Sequence, residues 1–566
     1  MALDGVQTTA WDHTPRVRSV RTLTQGFPRT TVLIGGALVL AAFIRLLTPL
    51  ARDFPLNDGA LFYQMAAELA ANDFRIPEYT GYNREGIPYA YSPLGFYLAA
   101  LIPALLPVEL IDVFRVLPAV VTVLCVVAFY LLARDLVASR AIVTAAVVTF
   151  AVLPRSFLWL IMGGGLTRSL GFLFAILTLW QLHRAYTRRA WRHVALTTVF
   201  ASLTVLSHLG TSPFVAFSAV LFLAFYGRHT FGLKVTAVVG IGTIVLTAPW
   251  WATIAATHGF APFAAAGATG GTVFSRSARG LVLGKLAYLG LGTAEPLFPL
   301  IGALAIIGGL ASFTRRGAFL PIWWLAIILL DARAGATYAS IPVALLAAIA
   351  IVDIIVPNVA RGASWCRAVP DVAHNEGGWA AAGLATSQRR WLVGVVLTVF
   401  VGYGIASALV RRPYAEGRFL TSLTRDDRDA MAWVARTTPP SSSFIIVVGG
   451  AAGGWWADRV AEWFPVLANR RSVATVQGTE WLPAGTFRER ERQYDQLQGC
   501  AIWQGACVER WSSQHGHAYT HVYIPKTLAF PCCAPLDAAL RHDAGFDLVF
   551  DGPGAAIYQR RGLFVE

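Results

Sequence analysis

Apolar runs of about twenty residues recur along this chain, and they constrain its fold more than any other feature. The first, "TTVLIGGALVLAAFIRLLTPL", begins at residue 30 and carries a single charge, Arg45. A run of that length crosses a hydrocarbon core as a helix and exceeds the apolar stretch of a secretion signal. Similar runs follow near 112–134, 140–160, 166–186, 193–208, 211–227, 234–255, 296–314, 318–331, 337–357 and 391–410. The expectation is a polytopic α-helical membrane protein with about eleven spans. The composition agrees: of 566 residues, 56% are hydrophobic and 14% charged. The net charge of +14 then reads as a topology signal rather than a nucleic-acid surface, because Lys and Arg gather in cytoplasmic loops.

Charge tests the span count. Arg134 and Arg140, then Arg184, Arg188, Arg189 and Arg192, then Arg228 and Lys234, then Arg315 and Arg316, and finally Arg361, Arg367, Arg389 and Arg390 fall in alternate turns. That alternation places the basic segment 1–29 in the cytoplasm, the transmembrane domain at 30–410, and 411–566 outside the cytoplasm, in a cell (inner or plasma) membrane. The run "PLGFYLAALIPALLP" at 93–107 is short and proline-rich. It reads as an interfacial or re-entrant helix, as does 280–292.

Composition shifts after residue 410. "FIIVVGG", "THVYIPK" and "FDLVFDGPGAAIYQRR" read as strands and "RDDRDAMAWVARTT" as a helix, giving a C-terminal α/β domain. Cys500, Cys507, Cys532 and Cys533 lie there. A Cys500–Cys507 bridge suits an oxidising compartment. Zinc held with His515, His517 and His521 is the alternative, although "CAIWQGAC" lacks the usual zinc spacing. Cys532 and Cys533 are left to each other, to another partner, or free.

Candidate chemistry concentrates outside the cytoplasm. The first outer loop, 51–92, holds "FPLNDGALFY" at 54–63 and a tyrosine-rich tract including Tyr89 and Tyr91. Asp58 precedes a helix. It suits an N-cap, and equally a positioned base or metal ligand. The next outer loop sets Gly163–Gly165 between Arg155 and Arg168, and a third adds Arg276, Arg279 and Lys285. Arginine at a membrane boundary either snorkels or binds phosphate in bidentate fashion. Trp455, Trp456, Trp463 and Trp481 crowd with Asp458, Glu462 and Glu480, as core, membrane belt or stacking surface for an acceptor.

These residues carry a resemblance. The order Ser92–Tyr97, Arg115–Ala119 and Leu132–Arg134, behind an uncleaved first helix and a loop with Asp58, resembles the GT-C class of integral-membrane glycosyltransferases. That class includes protein O-mannosyltransferases, the aminoarabinose lipid A transferase and the catalytic subunit of oligosaccharyltransferase. "GGWWADRVAEWFPVLANRRSV" is similar to the oligosaccharyltransferase "WWDYG" segment, with Ala457 intervening before Asp458 and the Tyr-Gly missing. The resemblance implies an inverting transferase using a polyprenyl-phosphate sugar donor on the extracytoplasmic face, with a glycan, lipid or protein acceptor. It implies Asp58 as base or metal ligand, and Arg155, Arg168, Arg276, Arg279 and Lys285 on the donor phosphate. Tyr89, Tyr91, Trp455, Trp456 and Asp458 would meet the acceptor. A divalent cation (Mg or Mn) would sit between Asp58 and a second acid. Many relatives place that acid after the third span; here Glu295, Asp53 or Glu85 would have to supply it. Two other readings stay open: a transporter or flippase of a lipid-linked substrate, and a non-catalytic binding or assembly subunit.

Overall fold

The computed structural model describes residues 30–269, 292–296, 298–314, 317–330, 334–359, 386–409, 420–451, 454–503, 505–528 and 532–562. Each expected apolar run coincides with a helix: α1 (Thr30–Leu50), α4 (Leu110–Leu136), α5 (Arg140–Val152), α6 (Gly165–Arg188), α7 (Trp191–Ser207), α8 (Ser212–Tyr226), α9 (Thr230–His258), and then Leu300–Thr314, Phe319–Leu330, Gly335–Ala350 and Thr386–Leu409. Among the described helices, six are long and apolar enough to cross a bilayer by length and composition. The run at 140–160 makes a shorter helix than expected. Leu153 precedes Pro154, which disfavours helical backbone at Leu153, and the chain turns there into a short 3-10 segment. The proline-rich 93–107 stretch forms α3 (Leu94–Leu105).

The bundle is inverted relative to a soluble protein. α9 leaves Leu233, Ile241, Ile244 and Val245 exposed, as a helix facing lipid does, while α6 turns Ser169, Thr178 and Gln181 inward. Arg45 of α1 is fully buried. Its Nη2 donates to Phe150 O at 2.9 Å and Ser156 Oγ at 2.8 Å, and Nη1 donates to Thr122 O. One guanidinium thus joins α1, α4 and α5 without a carboxylate, with the Phe157 ring 5.0 Å away.

The C-terminal domain is a five-stranded sheet in the order β4-β3-β5-β7-β6: β3 (Ser443–Ile446), β4 (Arg471–Ser472), β5 (His521–Pro525), β6 (Phe546–Asp551) and β7 (Ala555–Arg560). β3 runs parallel to β4 and β5, and β7 antiparallel to β5 and β6. The helix Arg425–Thr437 opens with a capping box between Thr424 and Asp427, which satisfies two end donors. Cys500 is bonded to Cys507, and Cys532 to Cys533.

This domain seats on the end of the bundle that carries loop 51–92. That loop holds α2 (Ala60–Ala71) and a small hairpin of β1 (Tyr79–Thr80) and β2 (Ile87–Pro88). Tyr82 OH donates to Glu462 O at 2.7 Å, Asn83 exchanges two hydrogen bonds with Ser472, and Glu85 pairs with Arg490 at 2.8 Å.

Candidate active site

Asp58 stands where loop 51–92, the start of α6 and the C-terminal domain meet. Its backbone is fastened on the preceding side. Asn57 N–H donates to Thr421 O, Trp463 Nε1 donates to Asn57 O at 3.0 Å, and Gly163 N–H donates to Leu56 O. Asn57 and Gly59 both have positive φ, 54° and 120°. This double reversal turns the Asp58 side chain away from its own helix.

The carboxylate therefore faces α6 rather than capping α2. It accepts the Gly164 N–H at 3.0 Å, and Arg168 Nη2 donates to both its oxygens at 3.2 and 2.9 Å. The two side chains are 17% and 16% exposed, so the pair is largely screened from bulk water without being sealed off. Arg168 lies 4.7 Å over the Trp159 ring, and its Nε makes no hydrogen bond. Arg168 thus holds Asp58 through Nη2, while its Nε is buried.

Gly163 and Gly164 make this approach possible. A Cβ on Gly164 would sit 2.7 Å from Asp58 Oδ2, and one on Gly163 would strike the Asp58 carbonyl. The glycines serve the contact between two protein loops, with Gly59 meeting them from the other side.

The N-cap reading of Asp58 is corrected by the geometry. α2 has no side-chain cap from its own N-cap residue. Instead Glu462 Oε1, from the helix Arg459–Leu467 of the C-terminal domain, accepts the Gly59 N–H at 2.7 Å and the Ala60 N–H at 3.1 Å. Its Oε2 accepts from Gln477 Nε2 at 3.2 Å. Glu462 is 5% exposed. Burial and the adjacent Asp58 charge push its carboxyl up to about 8, against the pull of the two N–H donors and Arg168. Sequence reasoning placed Glu462 only within a tryptophan-rich crowd. The available signal was an acid on the apolar face of "RVAEWF", where Val460, Ala461, Trp463 and Phe464 are all buried.

The acids expected to partner Asp58 are engaged elsewhere. Asp53 pairs with Arg428 and Glu85 with Arg490. Glu295 accepts from Ile301 N–H with both oxygens, at 3.0 and 3.1 Å, and from Gly302 N–H, capping the helix Leu300–Thr314. Among the described residues no three His, Cys, Asp or Glu side chains gather as a metal site. Asp58 already carries a guanidinium, and both oxygens of Glu462 already accept protein donors. Among the described residues the side chains around Asp58 do not fit a divalent-cation site, and Glu295 caps its own helix instead of pairing with Asp58.

The other expected residues divide. Arg155 lines a narrow cavity with Gly292, Thr293, Trp324 and Ser340. Arg276, Arg279 and Lys285 lie outside the described residues. Tyr89 is fully buried and its OH donates to Met65 O at 2.6 Å, so it is a core residue rather than an acceptor contact. Asp458 is likewise buried, capping its helix through Ala461 N–H at 3.0 Å and accepting from Tyr494 OH at 2.9 Å. Tyr91 stays partly open, bonded to Glu480 and packed 4.7 Å from Trp481. Trp455 donates to Glu491 at 3.1 Å. Trp456 is 41% exposed, and its carbonyl accepts from Asn57 Nδ2.

No protein-family model matches the chain, and no curated protein matches it in sequence. Solved structures do match in fold. The archaeal oligosaccharyltransferase AglB from Archaeoglobus fulgidus, solved with an inhibitory peptide and a dolichol-phosphate, superposes with a TM-score of 0.55 at 14% identity, covering 88% of this chain and 69% of that one. An Archaeoglobus fulgidus oligosaccharyltransferase tethered to an acceptor peptide gives 0.55 at 15% identity, with the same coverage. Arabinofuranosyltransferase AftD from Mycobacteria gives 0.53 at 15% identity, over 94% of this chain and 40% of its own. The chain is thus a polytopic membrane protein with the GT-C glycosyltransferase fold and a C-terminal α/β domain.

Proposed function

We propose that this protein is an inverting glycosyltransferase that moves a sugar from a polyprenyl-phosphate donor to an acceptor on the extracytoplasmic face of a cell membrane. The carrying observation is the Asp58–Arg168–Gly164 arrangement, a carboxylate positioned against a guanidinium, both side chains still partly exposed. Asp58 takes the proton from the acceptor hydroxyl. The acceptor oxygen attacks the anomeric carbon from the face opposite the phosphate, and the C–O bond to phosphate breaks. Polyprenyl phosphate leaves as a stable anion, so the leaving group needs no strong acid. Arg168 meets the phosphate with its remaining donors, a planar fork suited to that shape, and Arg155 is the second candidate cation.

Three neighbouring facts support the reading. Oligosaccharyltransferase structures from A. fulgidus were solved with dolichol-phosphate and, separately, with acceptor peptide. The fold is shared. Trp456, 41% exposed and joined through its carbonyl to Asn57, is the candidate acceptor contact. The departure from "WWDYG" and the structural use of Asp458 argue for an acceptor other than a peptide sequon.

The test uses full-length protein in lipid nanodiscs with a panel of radiolabelled polyprenyl-phosphate sugars and membrane-extracted acceptor. Asp58→Asn keeps oxygen and size for the Gly164 and Arg168 contacts. It should fold and bind polyprenyl phosphate while losing transfer by about 10³-fold or more. Unchanged transfer would remove Asp58 as base.

A further inference from the structure

We propose that Glu462 is a positioning residue of the active site: by capping α2 from the C-terminal domain it sets the direction of Asp58, so that catalysis depends on the seating of that domain. This rests on the reading of Asp58 as base.

A helix start leaves backbone donors unmet, and its positive dipole end favours a carboxylate. α2 begins beside Asp58, whose own carboxylate is turned toward Gly164 and Arg168. Glu462 meets those donors instead, accepting from two consecutive amides, Gly59 and Ala60. The residue after it, Trp463, holds the peptide on the other side of Asp58 through Asn57 O. Residues 462 and 463 therefore grip the backbone before and after Asp58. Among the described residues the carboxylate's hydrogen bonds go to Gly164 and Arg168, at the start of α6. The C-terminal domain thus aims the Cα–Cβ bond, and the membrane bundle receives the carboxylate. Gln477 steadies Glu462 from behind, and Tyr82 of the loop ties to the Glu462 carbonyl. Both Glu462 oxygens are taken by protein donors, Oε1 by the Gly59 and Ala60 N–H groups and Oε2 by Gln477, which separates it from a catalytic role.

The experiment compares Glu462→Ala, Glu462→Gln and wild type as full-length protein in nanodiscs. Hydrogen exchange of the segment 57–66 should accelerate at least tenfold in the alanine variant and stay near wild type in the glutamine variant, whose amide oxygen still accepts both N–H groups. Donor transfer should show kcat lowered about 10- to 100-fold in the alanine variant, the cost of an ångström-scale displacement. KM for donor should stay within about threefold, because Arg168 is untouched, and glutamine should recover most of kcat. Unchanged exchange in the alanine variant overturns the proposal. So does equal loss in both variants, which would show that an oxygen accepting the Gly59 and Ala60 N–H groups is not what catalysis requires. If Asp58→Asn retains full transfer, the base reading fails, while the exchange contrast still reports whether Glu462 holds the loop.

Discussion

Gly164→Ala tests the claimed geometry with a single methyl group. The new Cβ would lie 2.7 Å from Asp58 Oδ2 and 2.9 Å from its Cγ. Ordinary carbon contacts need about 3.5 Å or more, so the carboxylate must retreat by roughly 0.6 Å. That motion lengthens the 3.0 Å bond from Gly164 N–H and disturbs both Arg168 contacts. Misplacing a reacting group by about 1 Å costs on the order of 10²-fold in rate, so kcat should fall roughly 10- to 100-fold. Folding should be nearly unaffected. Gly164 has φ −67°, a conformation any residue adopts, and alanine there reduces unfolded-chain entropy by about 0.4–1 kcal/mol, which offsets the strain. Gly163→Ala is the control. Its Cβ meets the Asp58 backbone carbonyl, which cannot swing aside, and overpacking of that kind costs about 1–3 kcal/mol. The assay is radiolabelled donor transfer beside thermal unfolding by tryptophan fluorescence in nanodiscs. A Gly164→Ala enzyme with wild-type kcat would refute the claim that this Asp58 orientation is the reacting one. Equal loss of stability in the two variants would refute the packing argument.

Two further outcomes are expected. The Glu462 carboxyl is raised in the folded state to about 8 by burial and Asp58, so between about pH 5 and 8 the folded protein holds a proton that the unfolded chain releases. Stability then falls as pH rises through that window, by up to about 1.4 kcal/mol per unit. The apparent Tm of Glu462→Gln should be flatter over the same range, and parallel curves would contradict the assignment. In the bundle, Arg45→Ala should lower stability by roughly 2–5 kcal/mol, because it empties a fully buried volume against Phe157. Arg45→Met should recover most of it, since Phe150 O keeps the Ser156 hydroxyl; a methionine variant as unstable as alanine would show that the hydrogen bonds dominate.

Much of this molecule was legible in the sequence because bilayers and strands impose local rules. Twenty apolar residues must bury their own backbone polarity, so the run from 30 to 50 declares α1 without reference to the rest of the chain. The short, apolar-rich runs around 521–525 and 555–560 read as strands in the same way. Asp58 and Arg168 stood out as charged residues beside glycines at the ends of such runs. What the sequence left open was every pairing. Asp58 before a helix reads as a cap; only the positive φ of Asn57 and Gly59 turns it toward α6. Glu295, and behind it Asp53 and Glu85, were candidates for a second acid, and they are taken by a helix end, Arg428 and Arg490 in three dimensions.

Glu462 marks the boundary most sharply. It lies 404 positions after Asp58 in the chain, and nothing local announces that its carboxylate closes the first turn of α2. Periodicity and composition specify which segments form helices, strands and membrane spans, because those preferences arise from a residue and its near neighbours. The placement of a carboxylate depends on which backbone donors remain unmet at the far end of another domain, and only the packed tertiary structure decides that.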